Sequence, residues 1–229
     1  MGGEINIPNH NLKNVTLVLV GSFVLTCALL LFSIVVQYYI LTGLEKGTIY
    51  GLDGMAKAMR SDARHNTIGK INWYLMLSCY LVVSIWIYKT SKINEGYSDT
   101  PLEYGPKLAV GVYAIPFVNW ILPYFSMRET YRAANESSNI ENIGVAMLLG
   151  FWWFFWILFS ISRVAVAIME KEVMGYPTPE ISFIKNYVAV QGLAVIAGVA
   201  SALALLKIIL NIHAMQSDRA DSLETIPTQ

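Results

Sequence analysis

The run Pro116-Phe-Val-Asn-Trp-Ile-Leu-Pro-Tyr-Phe-Ser-Met-Arg-Glu129 sets two prolines and an asparagine inside a segment otherwise apolar enough to enter a bilayer, and closes it with an Arg-Glu pair. A plain membrane anchor needs none of these. Proline removes a backbone donor, and its ring clashes with the carbonyl four residues earlier. For Pro123 that carbonyl belongs to Asn119. In lipid a freed carbonyl must be satisfied by neighbouring protein or by water. The segment is therefore expected to pack within a helical bundle or to line a polar cavity.

Composition points the same way. Charged residues make up 14% of the chain and the formal net charge is zero, whereas a soluble domain carries about 25% charged residues. The deficit lies in long uncharged runs, which defines an all-α, polytopic integral membrane bundle. A crossing needs roughly 20 predominantly apolar residues. Five runs qualify: about 15–41, 71–88, 108–125, 143–169 and 187–210, the third broken by its prolines. The first is longer than a signal-peptide core and lacks an Ala-x-Ala-type cleavage site after it, so it is expected to remain as a span.

Residues 1–217 are thus expected to form one transmembrane domain, and 218–229 a disordered tail without apolar periodicity. Between the first two runs, Asp53 to Arg64 reads as a short helix in a polar connection, a solvated surface helix or, less commonly, an amphipathic one lying on the headgroups. Lysines and arginines divide almost evenly between the two sides, so orientation stays open.

Several residues are candidates for function. Asn119, between Pro116 and Pro123, would place a carboxamide at a helix break, as transporters place ligand groups at mid-membrane. A structural kink is the commoner alternative, since prolines are frequent in membrane helices. Arg128 and Glu129 follow as a pair that an exposed helix end would make weak. Arg163 is the only charge well inside an apolar run, about 9 Å below Met169 at the usual helical rise. It is within snorkelling reach of the interface, yet an intramembrane charge is a functional candidate by default. Glu129, Glu170 and Asn119 are its available partners. The aromatic cluster Phe151 to Trp156 reads as an interfacial girdle. On the last run Ala194, Gly198 and Ala202 recur every four residues, a small-residue stripe that admits another helix closely, from this chain or a second copy.

Other chemistry finds no footing. Cys27 and Cys79 fall in apolar runs and read as packing residues, and His10, His65 and His213 are too scattered for metal spacing. There is no phosphate-binding glycine loop, no His-Glu-x-x-His and no carboxylate pair on a span. No catalytic residue, metal or cofactor is expected. The absence of a basic stripe argues against nucleic acid.

The residues also resemble a known family. Asp53-Gly-Met-Ala56, Val83 through Trp86 to Lys89, Ile115-Pro-Phe-Val-Asn119, Pro123-Tyr124, Met127-Arg-Glu-Thr-Tyr-Arg-Ala-Ala134 and Gly150-Phe-Trp-Trp153 are similar to the signatures of the uncharacterised bacterial membrane proteins called domain of unknown function 4328. Tyr131 departs from that pattern where tryptophan is expected. The second proline also lacks the preceding basic residue often seen there. The resemblance implies a multi-span bundle and no known activity.

The expected function is that of a non-enzymatic scaffold or accessory subunit in a cell membrane, the bacterial inner membrane by the family resemblance. Its partners would be lipids and either another membrane protein or further copies of itself. The alternative is a small-solute transporter or channel using the broken third segment.

Overall fold

A computed structural model of the chain describes residues 8–97, 101–113, 115, 118–135, 143–176 and 179–224. In chain order it forms α1 (His10–Glu45), α2 (Gly51–Tyr97), α3 (Pro106–Gly111), a 3-10 turn (Val118–Trp120), α4 (Leu122–Ala134), α5 (Ile143–Gly175) and α6 (Ile181–Glu224). No strand occurs among the described residues. Four helices, α1, α2, α5 and α6, are long and apolar enough to cross a membrane.

Their outer faces show which solvent they suit. On α1, Val18, Leu25 and Phe32 recur every seven residues and are 67%, 64% and 64% exposed. On α5, Ile161, Val164 and Ile168 are likewise exposed. Soluble proteins rarely leave contiguous apolar faces open to water; acyl chains cover them without cost. The chain is an all-α, polytopic membrane protein.

Where the sequence reading treats 1–217 as one domain, contacts divide the chain into two compact units. Unit 1 comprises Met1–Val20, Ser78–Trp153 and Ala202–Gln229; unit 2 comprises Gly21–Leu77 and Phe154–Ser201. Unit 1 has a conventional apolar core, in which Trp86, Ile87, Met127, Leu149, Trp152, Ile208, Ile209 and Ile212 are buried together. It also carries a buried amide network. The Asn94 amide donates to the Thr130 carbonyl at 2.8 Å, and the Gln216 amide donates to Asn94 Oδ1 at 2.7 Å and the Thr90 carbonyl at 3.2 Å. Here α2, α4 and α6 are tied by side chains that leave few of their polar atoms unmet.

In unit 2, α1 and α2 run antiparallel from a tight turn. The turn opens with Gly47 at φ 65°, the left-handed position that commonly ends a helix and that glycine takes most readily. The Thr48 and Ile49 amides both return to the Gly43 carbonyl, at 2.9 and 3.1 Å. Along the seam, the Gln37 amide donates to Asp62, Arg64 donates to the Ser33 hydroxyl, and the Asn72 amide donates to Thr26 Oγ1 and Cys27 Sγ.

The small-residue stripe is used inside the chain. A Cβ placed on Gly198 would sit 3.1 and 3.2 Å from the Phe159 ring of α5. Ala194 and Ala202 are buried as well. Gly198→Leu is expected to destabilise the folded protein by about 1–3 kcal/mol through overpacking, with Gly198→Ala costing less. Thermal unfolding in mild detergent checks this, and an unchanged midpoint for the leucine variant would show that Phe159 does not occupy the stripe.

Two expectations change. In the third apolar run, expected to be broken by its prolines, α3 ends at Gly111 and α4 begins at Leu122, with Pro123 in its first turn. Proline fits there because its missing N–H falls where helix donors are already unpaired. Asp53 to Arg64 is not a separate surface helix but the first part of the 47-residue α2. No proline intervenes before Ile71, and the contacts to α1 hold the polar residues helical. The expected tail also starts later, since α6 runs on to Glu224; residues 225–229 lie outside the described ones.

A polar cavity among the membrane helices

The sequence candidates fall into two groups. Asn119, Pro123, Arg128 and Glu129 belong to unit 1 and Arg163 to unit 2; Pro116 lies outside the described residues.

In unit 1, Pro123 is buried and opens α4. Glu129 Oε1 and Oε2 accept from the backbone amides of Glu103 and Tyr104 at 2.6 and 2.8 Å. The carboxylate therefore clamps the segment before α3, and is not the partner of Arg163. Burial, with the Glu103 and Glu129 charges adding to it, holds the Tyr104 phenol above its usual range. Arg128 is half-buried on α4. Asn119 sits in the 3-10 turn, and the Trp120 carbonyl next to it accepts from the Trp153 indole at 2.8 Å. Asn119 Oδ1 and Tyr113 Oη are buried with no hydrogen-bond partner. A buried polar atom without a partner costs about 1–3 kcal/mol, so the break carries strain that a simple kink would not need.

In unit 2, the exposed Arg163 lines an open cavity of about 520 Å³ bordered by α1, α2, α5 and α6. Its guanidinium lies 6.0 Å from the centre of the Trp73 ring, the outer limit of a cation–π contact. Among the described residues no carboxylate comes within ion-pair distance of it. Lys70 and Glu170 share the rim, both exposed. Deeper in, the wall includes Gln191, whose Oε1 is buried without a partner, and His65, whose Nδ1 is likewise unpartnered. The floor is apolar, from Phe23, Leu30 and Ile34 of α1.

Of these, sequence reasoning singled out Arg163, with Glu170 as one of its available partners. Lys70 fell in the polar connection between the first two runs, His65 was set aside as too distant from the other histidines for a metal, and Gln191 was not singled out. One signal was available: Gln191 stands four residues after Tyr187 and three before Ala194, on one face of α6.

Helices built for lipid, with an open cavity lined by charged, polar and apolar side chains among them, define a polytopic membrane protein. Residues 52–214, well over half of the chain, match the family described as domain of unknown function (DUF4328), and the chain belongs to that family. The matched region takes in Asn119, Pro123, Arg128, Glu129, Arg163 and every cavity residue except those of α1. No curated protein and no solved structure matches the chain.

Proposed function

We propose that this chain is a non-enzymatic membrane protein that works by binding, as a carrier or accessory subunit, and that the unit 2 cavity is where it binds. One observation carries this reading. A cavity of about 520 Å³, within the ~300–1,000 Å³ range of small-ligand pockets, places an unpaired arginine and an unpartnered amide oxygen against an apolar floor. The guanidinium is exposed and so open to a ligand's polar group, while the apolar floor offers hydrocarbon contact.

The test is native mass spectrometry of the full-length protein, purified in gentle neutral detergent. The expected result is a non-covalently held small molecule. Ala167→Trp, which fills the recess from an exposed lining position, should lose that mass while keeping its unfolding midpoint. A bound mass that survives Ala167→Trp would place the ligand elsewhere. The same spectra report any second protein subunit. The small-residue stripe no longer requires one, because Phe159 of the same chain packs on Gly198.

A second reading, passage of a small solute along the broken third segment, is favoured by the unpartnered Asn119 Oδ1 and Tyr113 Oη. Under it, Asn119→Leu abolishes flux in proteoliposomes and leaves the protein folded. A gain in stability with flux unchanged would assign the carboxamide to structure alone.

A further inference from the structure

We infer that the unit 2 cavity takes an anionic amphiphile, with a phosphate or carboxylate head held by Arg163 and Lys70 and a hydrocarbon tail laid on the α1 floor. This rests on the cavity being a binding site and adds the class of ligand.

The charge count gives the sign. Two cations, Arg163 and Lys70, face one carboxylate, Glu170. A cationic ligand would meet two repulsions for each attraction. A neutral ligand would leave Arg163 as it now stands, with the Trp73 face at 6.0 Å and, among the described residues, no carboxylate within ion-pair distance. Guanidinium presents a planar fork of donors that fits phosphate or carboxylate oxygens two at a time, and such charge-assisted pairs are about twice as strong as neutral ones. Arginine is also less strongly hydrated than an ammonium, which suits a site partly withdrawn from water.

The shape of the lining gives the rest. Charged groups lie at the exposed rim, whereas Phe23, Leu30 and Ile34 are buried in α1. A free inorganic anion would use the rim and leave the floor empty. A lipid-like molecule uses both, and reaches the cavity from the bilayer without leaving it.

The test uses the full-length protein in neutral maltoside micelles, titrated with four probes: dodecyl phosphate, dodecylphosphocholine, dodecanol and inorganic phosphate. Dodecyl phosphate is expected to bind at least about tenfold more tightly than the other three, the size of one charge-assisted contact. Arg163→Gln should remove most of that advantage and leave dodecanol unchanged, while Arg163→Lys should retain part of it. Unfolding midpoints show that each variant is folded. Equal affinity for all three dodecyl probes overturns the anionic class but leaves the cavity as a binding site. Inorganic phosphate binding as tightly as dodecyl phosphate overturns the amphiphile. Arg163→Gln and Lys70→Gln both binding like the parent protein overturns the assigned head-group site. Failure of every probe, with no native mass sensitive to Ala167→Trp, removes the binding reading as well.

Discussion

Trp152→Ala is expected to lower the stability of the protein by about 3–5 kcal/mol, the range for truncating a large aromatic in a packed core. Phe151→Ala, one residue away, should change it by no more than about 0.5 kcal/mol, as a surface substitution does. The contrast follows from placement. Trp152 is 3% exposed and packed with Leu149, Ile208 and Ile209, whereas Phe151 is 49% exposed. On the lipid side, removing a ring exchanges one hydrocarbon contact for another. Inside the core it leaves a void that the helices fill only partly. Unfolding by graded addition of a denaturing detergent measures both. Equally small losses at both positions would mean that the whole aromatic cluster faces lipid, as a girdle would.

The second large effect is expected at Asn94. Asn94→Leu removes the acceptor of the Gln216 amide and the donor to the Thr130 carbonyl at once. Gln216 Nε2 keeps the Thr90 carbonyl, but Asn94 is fully buried, so the lost contacts cannot be replaced by water. Leaving a buried polar group unmet costs about 1–3 kcal/mol, and two groups are affected. The expected loss is therefore about 2–5 kcal/mol. Gln216→Leu added to Asn94→Leu should cost less than the sum of the two alone, because each removes the other's partner. A strictly additive pair would show that the network does not couple α2 to α6.

The membrane class was legible from residue order because lipid acts on every exposed side chain: runs such as 15–41 and 187–210 have no other stable setting. Pro123 falls in the first turn of α4, a position that suits its missing N–H. What could not be read is where neighbouring helices rescue polar residues. Asp53 to Lys70 looks like a connection by composition, yet Asp62, Arg64 and Asn72 find partners on α1 and the helix runs through them. Glu129 likewise looked like half of an ion pair, and the amides it caps lie 25 and 26 residues away. The cavity is the extreme case. Its lining comes from four helices, and only Arg163 breaks the local apolar pattern strongly enough to be noticed alone.

The division of the third segment into α3, the 3-10 turn and α4 has a consequence for sidedness. Four helices among the described residues are long and apolar enough to cross a bilayer, and four traverses would be an even count. The start of α1 and the end of α6 then emerge at the same surface of the bilayer, in keeping with the 2.9 Å approach of His10 to His213. Reporters attached at the two ends should share one compartment, and the stretch from Pro106 to Ala134 should dip in from that compartment and return to it.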